Sequence, residues 1–197
     1  MRYRKLLIEF KSFPKRFNRV IKVREDLDLF TLGTTLITAL GGAFDHYFVF
    51  ISRNGTFVPE NFRELYDEKM HYMTDYHLTD LGDKFTLIYD TGDSWEFSVK
   101  VYDKVENIRS RKYGFFMDGV GQGIWEDNIK TLLGYLNGEL DPNISEDDEQ
   151  GEYALPWNHH VNRLGDFDLT FDIKEKAERF DINVKINLDE LEENDMF

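Results

Sequence analysis

The chain has no cysteine at all. Disulfides, thiolate nucleophiles and cysteine-ligated zinc are thereby excluded. Long apolar runs are also missing. The N-terminal run Leu6-Leu7-Ile8 is too short for a signal-peptide core. No stretch approaches the roughly 20 apolar residues that a membrane helix needs. The expectation is a cytoplasmic protein with no membrane partner. Internal repeats and any linker between two cores are absent as well, so a single domain over residues 1–197 is expected.

What is present is apolar and aromatic. Of 197 residues, 41% are hydrophobic and 15% aromatic, enough to build a sizeable core even though 31% are charged. The net charge of −14 is uneven, with +8 on residues 1–24 and −22 on the rest. A field of that size repels phosphate backbones. Lys15, Arg16 and Arg19 in the basic segment are binding candidates, but tight nucleic-acid binding is not expected. The plainer reading sets the basic strands beside acidic neighbours of the same domain, and a protein is the favoured partner.

Residues 3–13 and 17–24 alternate apolar and polar side chains, which predicts two strands forming a hairpin. Asp26 or Asp28 can cap a helix in which Leu29, Leu32, Leu36, Ile37 and Leu40 recur at helical spacing, ended by Gly41 and Gly42. His46 to Ile51 reads as a buried strand, and Asn54-Gly55 as a hairpin turn. A short helix is expected over 61–70. Residues 84–91 and 94–102 form the clearest strand pair, followed by a strand at 113–118 and a mobile glycine loop at 119–123. Helices are expected over 126–136 and near 172–180. Residues 137–152 form an acidic loop, and 190–197 an acidic, frayed tail.

The segment Lys84-Phe85-Thr86-Leu87-Ile88-Tyr89-Asp90-Thr91-Gly92-Asp93-Ser94-Trp95-Glu96 resembles the hallmark of the plasmid Ri ORF-three-like family: an aromatic strand, then Tyr-Asp-Phe-Gly-Asp-x-Trp. Thr91 stands where that pattern has Phe, and Phe97 where a His often follows. Pro14, Phe17 and Arg19 resemble the family's first proline-aromatic-arginine strand. Leu29, Leu32 and Leu36 resemble its first helix, and His46 with Phe50 its His-x-x-x-Phe strand. Gly121, Gly123, Glu126 and Asp127 resemble its Gly-x-Gly and Glu-Asp segment, with Asn128-Ile129 in place of Gly-Gly. The resemblance spans roughly residues 3–140. It implies an α+β fold, an α/β roll with a curved, mostly antiparallel sheet packed by helices, and an origin among plasmid- and transposon-borne passenger proteins. It implies no defined reaction.

Asp90, Asp93, Glu126 and Asp127 are the most suggestive acids. Converging, they would hold Mg²⁺ or Mn²⁺ through oxygen ligands, with His46 adding a ligand or a base. Their structural reading assigns Asp93 to turn N–H groups and the acids at 126 and 127 to a helix start, with Asp90 required by neither. No histidine pair has zinc spacing, no P-loop or Gly-x-Ser-x-Gly elbow is present, and neither a metal nor a cofactor is indicated by spacing. Tyr89 and Trp95 could stack nucleobases, although at strand spacing they read as core. A non-enzymatic binding or interaction module is therefore the leading reading. A metal-dependent hydrolase or nuclease is the first alternative, and a nucleic-acid binder through the basic hairpin the second.

Residues 137–152 carry seven acids, two glycines and one proline. Limited proteolysis is expected to cut there first. Strong protection of the segment in the free protein would show instead that it packs.

Overall fold

In the computed structural model the described residues are 1–60, 70–145, 155–159, 161–168 and 171–193. The expected helix over 61–70 therefore lies almost wholly outside them. The strands are β1 (Arg2–Phe10), β2 (Asn18–Arg24), β3 (Phe48–Ser52), β4 (Gly55–Val58), β5 (His71–Tyr72), β6 (Lys84–Tyr89), β7 (Trp95–Asn107) and β8 (Gly114–Val120). They form one sheet in the order β5-β4-β3-β6-β7-β1-β2-β8. Every described pairing is antiparallel except β4 with β5. The helices are α1 (Leu29–Leu40), α2 (Leu78–Leu81), α3 (Ile129–Leu136) and α4 (Ile173–Glu193). This is the expected α+β architecture, an open sheet packed by helices.

The alternation in the strands sets the layers. Leu6, Ile8 and Phe10 of β1, Ile21 and Val23 of β2, and Trp95, Phe97 and Val99 of β7 are buried in one cluster with α1, α3 and α4. Their neighbours Lys5, Leu7 and Lys100 lie on the opposite, outer face, because successive strand residues point to opposite sides. Tyr89 pairs with Trp95 and Leu87 with Phe97, so the expected inward faces of the central pair are those observed. Tyr89 and Trp95 are fully buried. That corrects their candidacy as base-stacking residues, because a ring with no exposed face cannot stack on a ligand.

α1 follows its sequence signals. Asp28 accepts the Thr31 N–H at 2.8 Å, and Gly41 ends the helix in the left-handed region at φ 79°, as a C-terminal cap requires. Ten of its twelve residues are buried. Near α1, Arg19 is also buried, at 2% exposure, and is withdrawn as a binding candidate. Its guanidinium donates to the carbonyls of Asn18, Ala39, Val120, Gly121 and Gln122, between the rings of Phe17 and Phe171.

Other expectations shift. The third strand starts at Phe48, not His46, and α3 starts at Ile129, so Glu126 and Asp127 precede it. The glycine loop is packed: a Cβ on Gly123 would lie 2.6 Å from the His159 ring and 2.9 Å from the Leu40 carbonyl. Glu190 to Glu193 continue α4 with Leu191 buried, rather than fraying, and 194–197 lie outside the described residues. Of the acidic loop, 137–145 is described. Most of it is exposed, but Leu140 and Ile144 pack against the core.

Trp95 fills the centre of an aromatic cluster with Phe10, Phe17 and Phe97. Trp95→Ala is expected to lower unfolding free energy by about 3–5 kcal/mol, the usual range for a buried aromatic truncated to alanine, as measured by urea denaturation.

Candidate functional site

At one end of the sheet three connections meet: residues 41–47 from α1 to β3, the turn 90–94 from β6 to β7, and residues 121–128 from β8 to α3. The segment 155–159 packs against them. Their backbones carry all the non-glycine residues of positive φ among the described residues: Phe44 at 66°, Asp90 at 55°, Ser94 at 55° and Asp127 at 58°. Such conformations persist only where surrounding bonds over-determine them, and they concentrate at functional sites.

The turn is organised by Asp90. Its N–H donates to the Tyr47 carbonyl at 2.9 Å, and its own carbonyl accepts the Ser94 N–H. Its Oδ1 accepts the N–H groups of Gly92 at 2.9 Å and Asp93 at 3.2 Å. The expected roles are thus exchanged. Asp90, not Asp93, satisfies the turn, and its left-handed residues are Asp90 and Ser94. Asp93 instead reaches α3, where its Oδ2 accepts the Ile129 N–H at 3.2 Å. It thereby caps a helix whose own N-cap residue, Asn128, contributes no side-chain bond.

Glu126 points inward. Its Oε1 accepts the Ala43 N–H at 2.7 Å and the Tyr89 hydroxyl at 2.9 Å, while that hydroxyl accepts the Phe44 N–H at 3.0 Å. Oε2 is buried with no partner among the described residues. Burial pushes the Glu126 carboxyl above its ordinary range, against the opposing effect of those hydrogen bonds. Burial likewise raises the Tyr89 hydroxyl, and the Glu126 charge adds to this. The Glu126 N–H is held by Asn158 Oδ1 at 3.3 Å. Asn158 Nδ2 donates to the carbonyls of Gly41 and Ile124, tying two of the three connections together.

Asp127 turns the other way. Its left-handed backbone directs the carboxylate outward, where Oδ1 lies 3.1 Å from His46 Nε2. The same His46 Nε2 is 3.7 Å from Asp90 Oδ2. One ligand atom from each of His46, Asp90 and Asp127 lies within 4.8 Å of the others. Asp90 is buried, His46 half-buried and Asp127 exposed, so the group opens to solvent on one side. An imidazole nitrogen with two carboxylate oxygens suits a divalent ion of intermediate softness. Without an ion, the imidazole Nε2–H donates to the Asp127 carboxylate.

Of the five acid-base candidates, three converge, while Glu126 supports the site from below and Asp93 caps α3. The basic candidates lie apart from this group. Arg16 pairs with Asp168 at 2.5 Å and stands over the Tyr135 ring, and Lys15 is exposed. Phe44 and Asn158 escaped sequence reasoning. A lone Phe or Asn in an irregular segment carries no pattern, and their roles exist only through contacts with distant residues.

The burial of Glu126 makes stability depend on pH. A carboxyl raised in the folded state is worth most to stability below its unfolded value, and that contribution is lost as pH rises through the folded value. Glu126→Gln is expected to remove this decline, so that urea midpoints followed upward from pH 4 fall less steeply than for the parent. Parallel profiles would show that Glu126 ionises as freely in the folded chain as in the unfolded one.

No match is found among curated proteins. A solved structure, protein of unknown function MM3350 from Methanosarcina mazei Go1, superposes with a TM-score of 0.59 at 17% identity, covering 69% of this chain and 82% of that one. At that identity the likeness concerns the fold. The family model described as plasmid pRiA4b ORF-3-like protein matches residues 2–175. The motif at 84–96, the early strands and helix and the segment through Asp127 all fall inside that match, and the chain belongs to the plasmid pRiA4b ORF-3-like protein family.

Proposed function

We propose that this chain is a binding module whose working site is a divalent-cation centre formed by His46, Asp90 and Asp127. The supporting observation is the meeting of three donor atoms within 4.8 Å from three separate connections, two of them on residues held in left-handed backbone. A loop residue held at positive φ is costly, by about 1–3 kcal/mol, and here two such residues place carboxylates against one imidazole. Three protein donors leave coordination positions for water or for a group on a partner. A protein side chain or carboxylate completing the shell fits the interaction role better than a free-standing structural ion, whose shell the protein alone would close.

A second reading, metal-assisted hydrolysis, shares the same three ligands and is favoured by the same open positions, which would accept a polarised substrate oxygen or an activated water. The two readings part at turnover. Only the hydrolase would release product from phosphodiester or ester substrates in an Asp127-dependent manner.

The test of the site itself is a thermal melt with Mg²⁺, Mn²⁺ or Zn²⁺. An ion bound only by the folded chain at 100 times its Kd adds about 2.7 kcal/mol. A rise in melting temperature with Mn²⁺ or Zn²⁺ is expected for the parent and not for Asp127→Asn or His46→Ala. The absence of a shift with any of the three ions sinks the proposal.

A further inference from the structure

The outer face of the sheet carries a feature that the cation site does not use. Between β1 and β7 the register breaks. Arg4 faces Val105 and Leu6 faces Val101, so Lys5 alone stands opposite Tyr102, Asp103 and Lys104. A bulge of this kind bends the strand and re-aims side chains. Here it places the Tyr102 ring beneath two ammonium groups, Lys5 Nζ at 5.2 Å and Lys100 Nζ at 5.1 Å from its centroid. Lys5 and Lys100 are exposed.

The arrangement continues across the sheet. Lys22 pairs with Lys5 in register, and Phe115 with Lys22. Lys112 Nζ lies 5.7 Å from the Phe115 ring centroid. Lys22 binds Glu106 at 2.6 Å, and the Glu106 carboxyl is held below its ordinary range by that bond and by the nearby charges of Lys104 and Lys5. Several lysines thus share one carboxylate on this strip. A chain of net −14 therefore presents a local band in which ammonium groups alternate with half-buried rings on an extended surface. α1, α3 and α4 pack on the inner side.

We infer that this strip, centred on Tyr102 and Phe115, is a docking surface for single-stranded nucleic acid. Ammonium groups along a sheet match the phosphates of a strand, and flat rings between them match its bases, which every sequence offers as stacking faces. An acidic peptide would satisfy the lysines but make no use of the rings beneath them. A duplex keeps its bases stacked away from such rings. The charge of the remaining chain opposes the approach of phosphates, so the interaction belongs to low ionic strength and to an exposed single strand. This inference is independent of the cation site, whose ligands lie on the connections at the sheet end.

The experiment uses the full chain and a labelled 15-nucleotide single strand of mixed sequence, followed by fluorescence anisotropy from 25 to 150 mM salt. Binding is expected at 25 mM and lost towards 150 mM. Lys5→Glu combined with Lys100→Glu should flatten the log-log salt slope by about 1.4, or roughly 0.7 for each of two phosphate contacts. Tyr102→Leu keeps the charge and removes only the ring, and it should weaken binding about tenfold, within the range for one stacked base. Melting curves, and any Mn²⁺-induced shift in them, should stay as in the parent for every variant, which separates loss of the strip from loss of the fold or of the cation site. No binding at 25 mM overturns the inference. So does undiminished binding by Tyr102→Leu, or competition by polyglutamate as effective as that by unlabelled oligonucleotide, which would mark a docking surface for acidic protein.

Discussion

One buried arginine holds the parts of this fold in relation to one another. The Arg19 side chain leaves β2 on the inner face, and the carbonyls of Asn18, Ala39, Val120, Gly121 and Gln122 take its donors. Those carbonyls belong to β2, the last turn of α1, and the point where β8 leaves the sheet. Unpaired, each would be a buried acceptor with a desolvation penalty of about 1–3 kcal/mol. Burial pulls the guanidinium down to about 9, still above neutral pH, so the group keeps the charge that strengthens its bonds. Lysine could not replace it, having three donors on a point charge where five in a plane are needed.

That clamp fixes the starting points of the site. Residues 121–128 leave from the carbonyls that Arg19 binds, and α1 delivers residues 41–47 from the same junction. From there the strain is distributed over several short bonds. Asn158 ties Gly41 to Ile124 and holds the Glu126 N–H, and Glu126 holds Ala43 and Tyr89. With its neighbour fixed on three sides, Asp127 is turned outward in a backbone region that a branched or bulky residue would resist more strongly than aspartate. Asp90 meets the same demand differently. It satisfies the turn with one oxygen and faces His46 with the other.

The fold was legible where periodicity was strong. The β6 and β7 faces, the α1 caps and the hairpin of β1 and β2 follow from alternation, from Asp28 and from Gly41. The acids were legible as a set, and His46 with them, but not their division of labour. Asp90 and Asp93 lie in one turn, and sequence reasoning assigned the turn bonds to Asp93 because it follows a glycine. Choosing between them requires the backbone angles, which the neighbouring loop sets through the Tyr47 carbonyl. Glu126 and Asp127 looked like a helix start because acids favour that position. In the fold the helix begins later, since Asp93 arrives from another element to cap it at Ile129. Arg19 read as one more surface cation in a basic segment, because nothing local shows that carbonyls from two distant segments, Ala39 and residues 120–122, will enclose it.

The distribution of positive charge follows from the same separation of faces. Inward, Arg19 meets no carboxylate among the described residues and depends on backbone dipoles and rings. Along the edges and ends, Arg2 and Arg4 share Glu25, Lys11 meets Glu96, Arg16 meets Asp168 and Arg24 meets Asp26. The basic strands thus largely spend their charge on acidic neighbours of the same domain. Exposed pairs of this kind add little stability each, but they remove the long-range field that the sequence alone would assign to residues 1–24. What survives is local, and its position is set by the bulge opposite Lys5. There the strand carries two extra residues, and ammonium groups meet an aromatic ring. Charge counting along the sequence locates a basic segment of 24 residues, whereas register and pairing reduce it to a strip a few residues wide on one face of the sheet.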